Sequence, residues 1–271
     1  MANLRILYKN IANTASSLTA SNTNGSLVAA NMLTEVKSQV HRSTGNFVIY
    51  TLHWPTDQRV NCIALPCTNL NAGAIITVSL KNAASTIIAA ANKSTVITFD
   101  APTTHTVNDF ALGKFTSICV YLPTVLTTVR SVEISVNAAG IPSGFIDCSR
   151  IVIGEYWSPR FNFENGINLD ITDSSTISRT NAGELVYDRG FIHSKLEFKY
   201  ALLEDADRDK LISIFKEVGV YKNILINLFP SDGITSGQNE AQYTIYGKRS
   251  NTSIAHRLYG FHNHSMEITS W

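Results

Sequence analysis

Short runs of apolar residues, separated by Asn, Ser, Thr, Gly and Pro, follow one another along most of this chain, and few step at helical spacing. Such runs predict strands over residues 5–8, 47–52, 59–65, 74–80, 95–99, 115–122, 131–136 and 149–154. Trp54-Pro55-Thr56-Asp57 carries turn chemistry, since Pro presets φ and Asp can bond its own backbone, so 47–52 and 59–65 read as a hinged strand pair. The Ala-rich patch 83–91 is interrupted by Ser85, Thr86, Ile87 and Ile88, which favours a loop or strand edge over a helix. Short strands punctuated in this way are the pattern of a sandwich or barrel. Residues 1–157 therefore read as one all-β unit.

The pattern changes after residue 158. Residues 160–180 are rich in Asn, Asp, Ser and Thr and hold at most one strand, near 167–171. Residues 195–202 then alternate as a strand. Leu211, Ile214, Phe215 and Val218 follow at i, i+3, i+4 and i+7, which places them on one helix face. Asp205 and Asp207 at its start, Lys216 near its end and Gly219 after it bound a helix at about 205–218. Strands are predicted over 224–229, 242–247 and 265–269. The fold class is thus mainly β: a β-sandwich over 1–157 and a β-rich unit over 158–271, split-barrel-like or α+β, with one helix. Tyr156-Trp157-Ser158-Pro159 marks the boundary.

Composition narrows the function classes. Charged residues are 16% of the 271, against about 25% in ordinary globular chains. The 22 basic residues are scattered among 21 acidic ones, for a net charge of +1, which argues against a nucleic-acid partner. The first residues lack the apolar core of a signal peptide, and no apolar stretch is long enough to span a membrane as a helix, so synthesis in a cytoplasm is expected. Cys62, Cys67, Cys119 and Cys148 match neither a zinc nor a redox spacing and read as buried thiols.

The usual catalytic constellations are missing. There is no nucleophile elbow, no dinucleotide fingerprint and no H-E-x-x-H, and the two Gly-Lys pairs, Gly113-Lys114 and Gly247-Lys248, lack the upstream Gly of a phosphate loop. His262-Asn263-His264 would put two imidazoles on one strand face, but no third ligand lies nearby, so no metal is expected. Glu204, Asp205, Asp207 and Asp209 lack the glycine of a calcium loop and suit a helix N-terminus. Asp170 and Asp173, with Glu155 and Glu164, are too few signals for a glycosidase pair. The ligand-binding candidates are His53 and Trp54 in the predicted turn, where an exposed Trp could stack on a sugar ring. A single Trp more often caps a core.

Two resemblances bear on function. Leu27-Val28-Ala29-Ala30-Asn31-Met32-Leu33, His41-Arg42-Ser43, Val60-Asn61-Cys62-Ile63-Ala64-Leu65 and Arg150-Ile151-Val152-Ile153-Gly154 together resemble the galactose-binding-like (discoidin-type) jelly roll. Ile153-Gly154-Glu155-Tyr156-Trp157-Ser158-Pro159, Asp173-Ser174-Ser175, Arg179-Thr180-Asn181-Ala182-Gly183 and Tyr243-Thr244-Ile245-Tyr246-Gly247-Lys248 resemble structural proteins of the tail tip or baseplate of tailed bacteriophages, with distal tail proteins the nearest kind. That resemblance implies a non-enzymatic virion component without a cofactor. It would form a homo-oligomeric ring or trimer with other tail proteins (tube, hub, tip or fibre) and join the tail tube to the tip or host-recognition apparatus. The alternative it leaves open is a carbohydrate-binding host-attachment module that meets a host surface glycan.

Overall fold

The computed structural model describes residues 3–95, 106–164, 166–235, 237–250, 254–258 and 261–270. In chain order the first strand is β1 (Arg5–Leu7), and it is followed by a first lobe of strands β2 (Ser17–Ala20), β3 (His41–Arg42), β4 (Phe47–Thr68), β5 (Ile75–Lys81), β6 (Ile87–Ser94), β7 (Thr116–Asn137) and β8 (Asp147–Gly154). The second lobe holds β9 (Asn168–Asp173), β10 (Thr176–Arg179), β11 (Leu185–Asp188), β12 (Ile192–Glu204), β13 (Ile224–Asn227), β14 (Thr244–Arg249), β15 (Ile254–Leu258) and β16 (Phe261–Ser270). The helix α2 (Asp205–Val218) lies in this lobe, beside the five-residue helices α1 (Val107–Ala111) and α3 (Gln238–Gln242). The chain is mainly β, with a β-sandwich in its first lobe.

The sandwich is made by two long strands that serve both of its layers. The first half of β4 lies between β2 and the second half of β7, which continues to β5 and β6. The second half of β4 lies between the first half of β7 and β8, which continues to β3. Val48, Tyr50 and Leu52 from one layer face Ile63, Leu65, Ile151 and Ile153 from the other in a single core. The hinge expected at 54–57 is therefore not a hairpin. The chain continues as β4 from one layer into the other, and the register slips between His53 and Gln58, where Pro55 forfeits no ladder bond. Likewise 115–122 and 131–136 are one strand, β7, with Pro123 at a separate slip, opposite the one between Val60 and Cys62.

The second half of β4 is buried on both faces, as is β8 throughout. Ile63 and Leu65 point into the sandwich, while Cys62 and Ala64 point the other way, to meet Tyr121, Val152, Leu225 and Tyr246. This second apolar layer is the seam between the lobes. Two-sided burial explains why 60–65 reads as a nearly unbroken apolar run.

In the second lobe the sheet order is β1-β13-β14-β16-β12-β9, with β15 on β16. Leu211, Ile214 and Val218 of α2 pack on Leu196, Phe198, Met266 and Ile268. The helix ends at Gly219, whose φ of +60° suits a residue without a side chain. β1 pairs with β13 in the register Arg5↔Asn227, and Ile6 bridges Trp157, so the first strand of the chain completes the sheet of the second lobe. β10 and β11 form a separate two-stranded hairpin, where the sequence suggested at most one strand over 160–180. The strand predicted over 95–99 lies, beyond Thr95, outside the described residues.

Candidate functional site: the cleft at the seam between the lobes

Trp54 is only 4% exposed; its indole N–H donates to the carbonyl of Ile11 at 2.9 Å, and its ring belongs to the sandwich core. It caps that core and offers no face to a ligand. His53, one residue earlier on a pleated strand, points outward, and its backbone carbonyl accepts from Ser16. The structure therefore separates the two predicted ligand residues onto opposite faces.

His262 and His264 do share one face of β16, turned towards α2. His262 Nε2 lies 2.8 Å from both the Asp205 carboxylate and the Arg208 guanidinium, and His264 stacks on Tyr200 and touches Phe215. Both imidazoles serve packing of the helix on its sheet. Among the described residues no group of three or more His, Cys, Asp or Glu side chains is placed to hold a metal. The acidic cluster is engaged locally: Glu204 pairs with Arg160, Asp207 accepts the Arg160 backbone N–H, and Asp205 and Asp209 pair with Arg208. Glu155 is held below the ordinary carboxylate range by its hydrogen bond from Arg59. The four cysteines are free and buried, and burial pushes the Cys119 and Cys148 thiols up to about 12, which leaves them inert.

A concave, polar surface opens where the lobes meet. It is a cleft of about 600 Å³, lined by 8–11, 13–14, Glu35 and Gln58 on one side and by Glu217, Tyr221, Lys222, Asn223 and Tyr246 on the other. Its base is a network built across the seam. Arg150 of β8 is fully buried and donates to the Met32 carbonyl at 3.2 Å and to the Glu35 carboxylate at 2.5 Å. The Tyr246 hydroxyl of β14 donates to the same carboxylate at 2.9 Å, and Asn223 Nδ2 reaches it at 2.5 Å. Burial pushes the Tyr246 phenol well above its usual range, so it remains a donor at any physiological pH. Glu35 is thus fixed by three donors from two lobes while 47% of its side chain faces solvent.

The walls are pinned as firmly. Asn10 donates to Ile151 and accepts from the N–H groups of Ala12 and Ile153, which ties the wall to β8. Gly154 is needed beneath it, since a Cβ there would meet the Lys9 carbonyl at 2.5 Å. Tyr8 receives Lys210 on its hydroxyl at 3.0 Å. At the rim the Tyr221 ring is 68% exposed, in the loop that follows Gly219. An exposed ring, a half-exposed carboxylate and several amides converge here, which suits a polar, polyhydroxylated ligand. None of these cleft residues stood out in the sequence, because they come from five separate segments. The readable signal was Gly219-Val220-Tyr221, an aromatic in a Gly-started loop directly after a helix.

No protein-family profile and no curated protein sequence matches the chain. Among solved structures it is similar to a GH29 fucosidase of Ruminococcus gnavus in complex with fucose, at 12% identity and a TM-score of 0.39, over 56% of this chain and 27% of that one. It is also similar to a chitosan-binding module of a Paenibacillus chitosanase/glucanase, at 16% identity and a TM-score of 0.39, over 54% of this chain and 99% of the module. A third is the family 32 CBM from C. perfringens NanJ in complex with galactose, at 12% identity and a TM-score of 0.38, over 55% and 98% of the two chains. Likeness at that level carries no argument about what this chain binds.

Proposed function

We propose that this chain is a carbohydrate-binding host-attachment module of a tailed-bacteriophage virion, acting without covalent chemistry, and that sugar occupies the cleft between the lobes. The observation that carries the reading is the cleft itself, where Glu35 is preorganised by Arg150, Tyr246 and Asn223 and the exposed Tyr221 stands at the rim. A fixed acceptor costs little to order when a hydroxyl binds, and an exposed ring covers the apolar face of a pyranose. The test is a titration of the full chain with neutral and acidic mono- and oligosaccharides, followed by amide chemical shifts. Shifts should concentrate at 8–14, 35 and 217–223, and Tyr221→Ala should weaken binding about tenfold while leaving the fold intact. Silence across a broad panel at millimolar sugar, or shifts elsewhere that Tyr221→Ala does not alter, would reject the cleft.

One feature favours a second reading, the ring or trimer of a distal-tail-like component. The β10–β11 hairpin projects with Ile177, Leu185, Val186 and Tyr187 all exposed, and Phe191 and Ile171 are exposed at its base. Two strands alone are marginal in water, so such a hairpin gains from a covering surface. Light scattering of the purified chain tests this. A ring or trimer that Ile177→Ser with Tyr187→Ser dissolves supports assembly through the hairpin, and a monomer at high concentration counts against it.

A further inference from the structure

A second opening on the seam differs from the cleft in chemistry and shares only Tyr246 with it. It measures about 340 Å³ and has walls from both lobes: Pro66, Cys67 and Phe115 on one side, Leu169, Ile171 and Ile245 on the other. No Asp or Glu lines it, and its one charged group is Lys37. The main chain at Lys37 is fixed, since its carbonyl accepts the Ser149 hydroxyl at 2.6 Å. Its ammonium lies 5.0 Å from the centre of the Phe115 ring. Among the described residues no hydrogen bond or ion pair from a protein group reaches that ammonium.

The buried cations along the seam, unlike the half-buried Lys37, each have a carboxylate partner. Arg150 has Glu35, Lys93 has Glu240 and Arg5 has Asp232. Lys37 has only an aromatic ring, and withdrawal from water holds its pKa below the ordinary lysine value. A cation held in apolar surroundings without an anion is costly, and an anion brought by a ligand would offset that cost. The cavity sits at the small end of the range for ligand pockets, about 300–1,000 Å³. Cys67 in its wall is no nucleophile, because burial raises its thiol far above neutrality.

We propose that this pocket binds a small organic anion, an aryl carboxylate, with the carboxylate on Lys37 Nζ and the ring held among Phe115, Ile171 and Ile245. Because both lobes supply the walls, the bound anion ties them together and raises the melting temperature of the whole chain. The site does not depend on the sugar reading of the cleft.

The full chain is titrated with naphthoate and, as its uncharged counterpart, naphthamide, by saturation-transfer NMR and thermal melting. Reductive methylation with an isotope label gives each lysine its own signal, and Lys37 is assigned by its loss in Lys37→Gln. Naphthoate should bind about tenfold more tightly than naphthamide, raise the melting temperature, and move the Lys37 titration upward. Lys37→Gln should abolish the preference for the acid. Should Lys37→Gln fold poorly, Ile171→Glu serves instead: Ile171 is 72% exposed at the pocket mouth, and a carboxylate there should repel naphthoate and spare naphthamide. Equal affinity for acid and amide would overturn the proposal, as would a Lys37 signal unmoved at saturating naphthoate, or no binding of either compound at millimolar concentration.

Discussion

Over their inner halves the long strands of the first lobe are covered twice, by the sandwich core on one face and the seam on the other. The second lobe covers its sheet with α2 and then runs out into β10–β11, which has no core at all. The contrast concerns where stability resides. In the first lobe Arg42 is paired with Asp147, Asn69 with the Asp147 backbone and the Phe145 carbonyl, and Lys93 with Glu240. In the hairpin apolar side chains face water, so the chain spends order there that its own packing does not repay.

The contrast can be broken most forcefully at Trp54. Trp54→Ala should destabilise the chain by about 3–5 kcal/mol in denaturant unfolding, because it empties the core cap and leaves the Ile11 carbonyl without its donor. A platform residue would give no such loss. Next in size is the buried pair that joins β6 to α3, with Lys93 Nζ 2.9 Å from Glu240 and 2.7 Å from the Ser231 carbonyl. Lys93→Met should cost about 3 kcal/mol, and adding Glu240→Gln should restore most of it, since the burial that raises the Glu240 pKa favours a neutral group there.

His41 should give a smaller effect, visible as a slope against pH. Its ring sits against Tyr50 and the Asn22 carbonyl, near Asp147, and burial holds its pKa below 6.5. The unfolded chain takes up a proton near that pH while the folded one does not, so stability should fall as pH drops below it. His41→Gln should flatten that part of the profile. The smallest effect belongs to the hairpin. Ile177→Ser should leave the unfolding free energy of the monomer within about 0.5 kcal/mol of the parent, and a larger loss would mean that the hairpin is packed after all.

Much of the fold was legible in the residues. The helix at 205–218 was readable to the residue, because periodicity, acidic start and terminal glycine agree. The strands of the first lobe were found as pieces, since Pro55 and Pro123 look like turns to local rules and only the pairing of β4 with β7 turns both into slips. The pairing of β1 was illegible, because three residues fix their own conformation but not their partner. β10–β11 was hidden by its polar flanks, although Gly183, at a φ of +84°, closes a turn between Ile177 and Tyr187. Of the cleft, only the aromatic Tyr221 in the loop after Gly219 carries a local signal. Glu35, Asn223 and Tyr246 matter through one shared set of hydrogen bonds, and nothing in their separate neighbourhoods announces it.

The placement of β1 has a consequence for biogenesis. Its ladder partner is β13, which is synthesised only after the whole of the first lobe, so the sandwich strands between them can already have closed. A strand made ahead of the sandwich is fixed only after it. Until β13 emerges β1 has no ladder partner, and its docking is a closure between segments far apart in the chain.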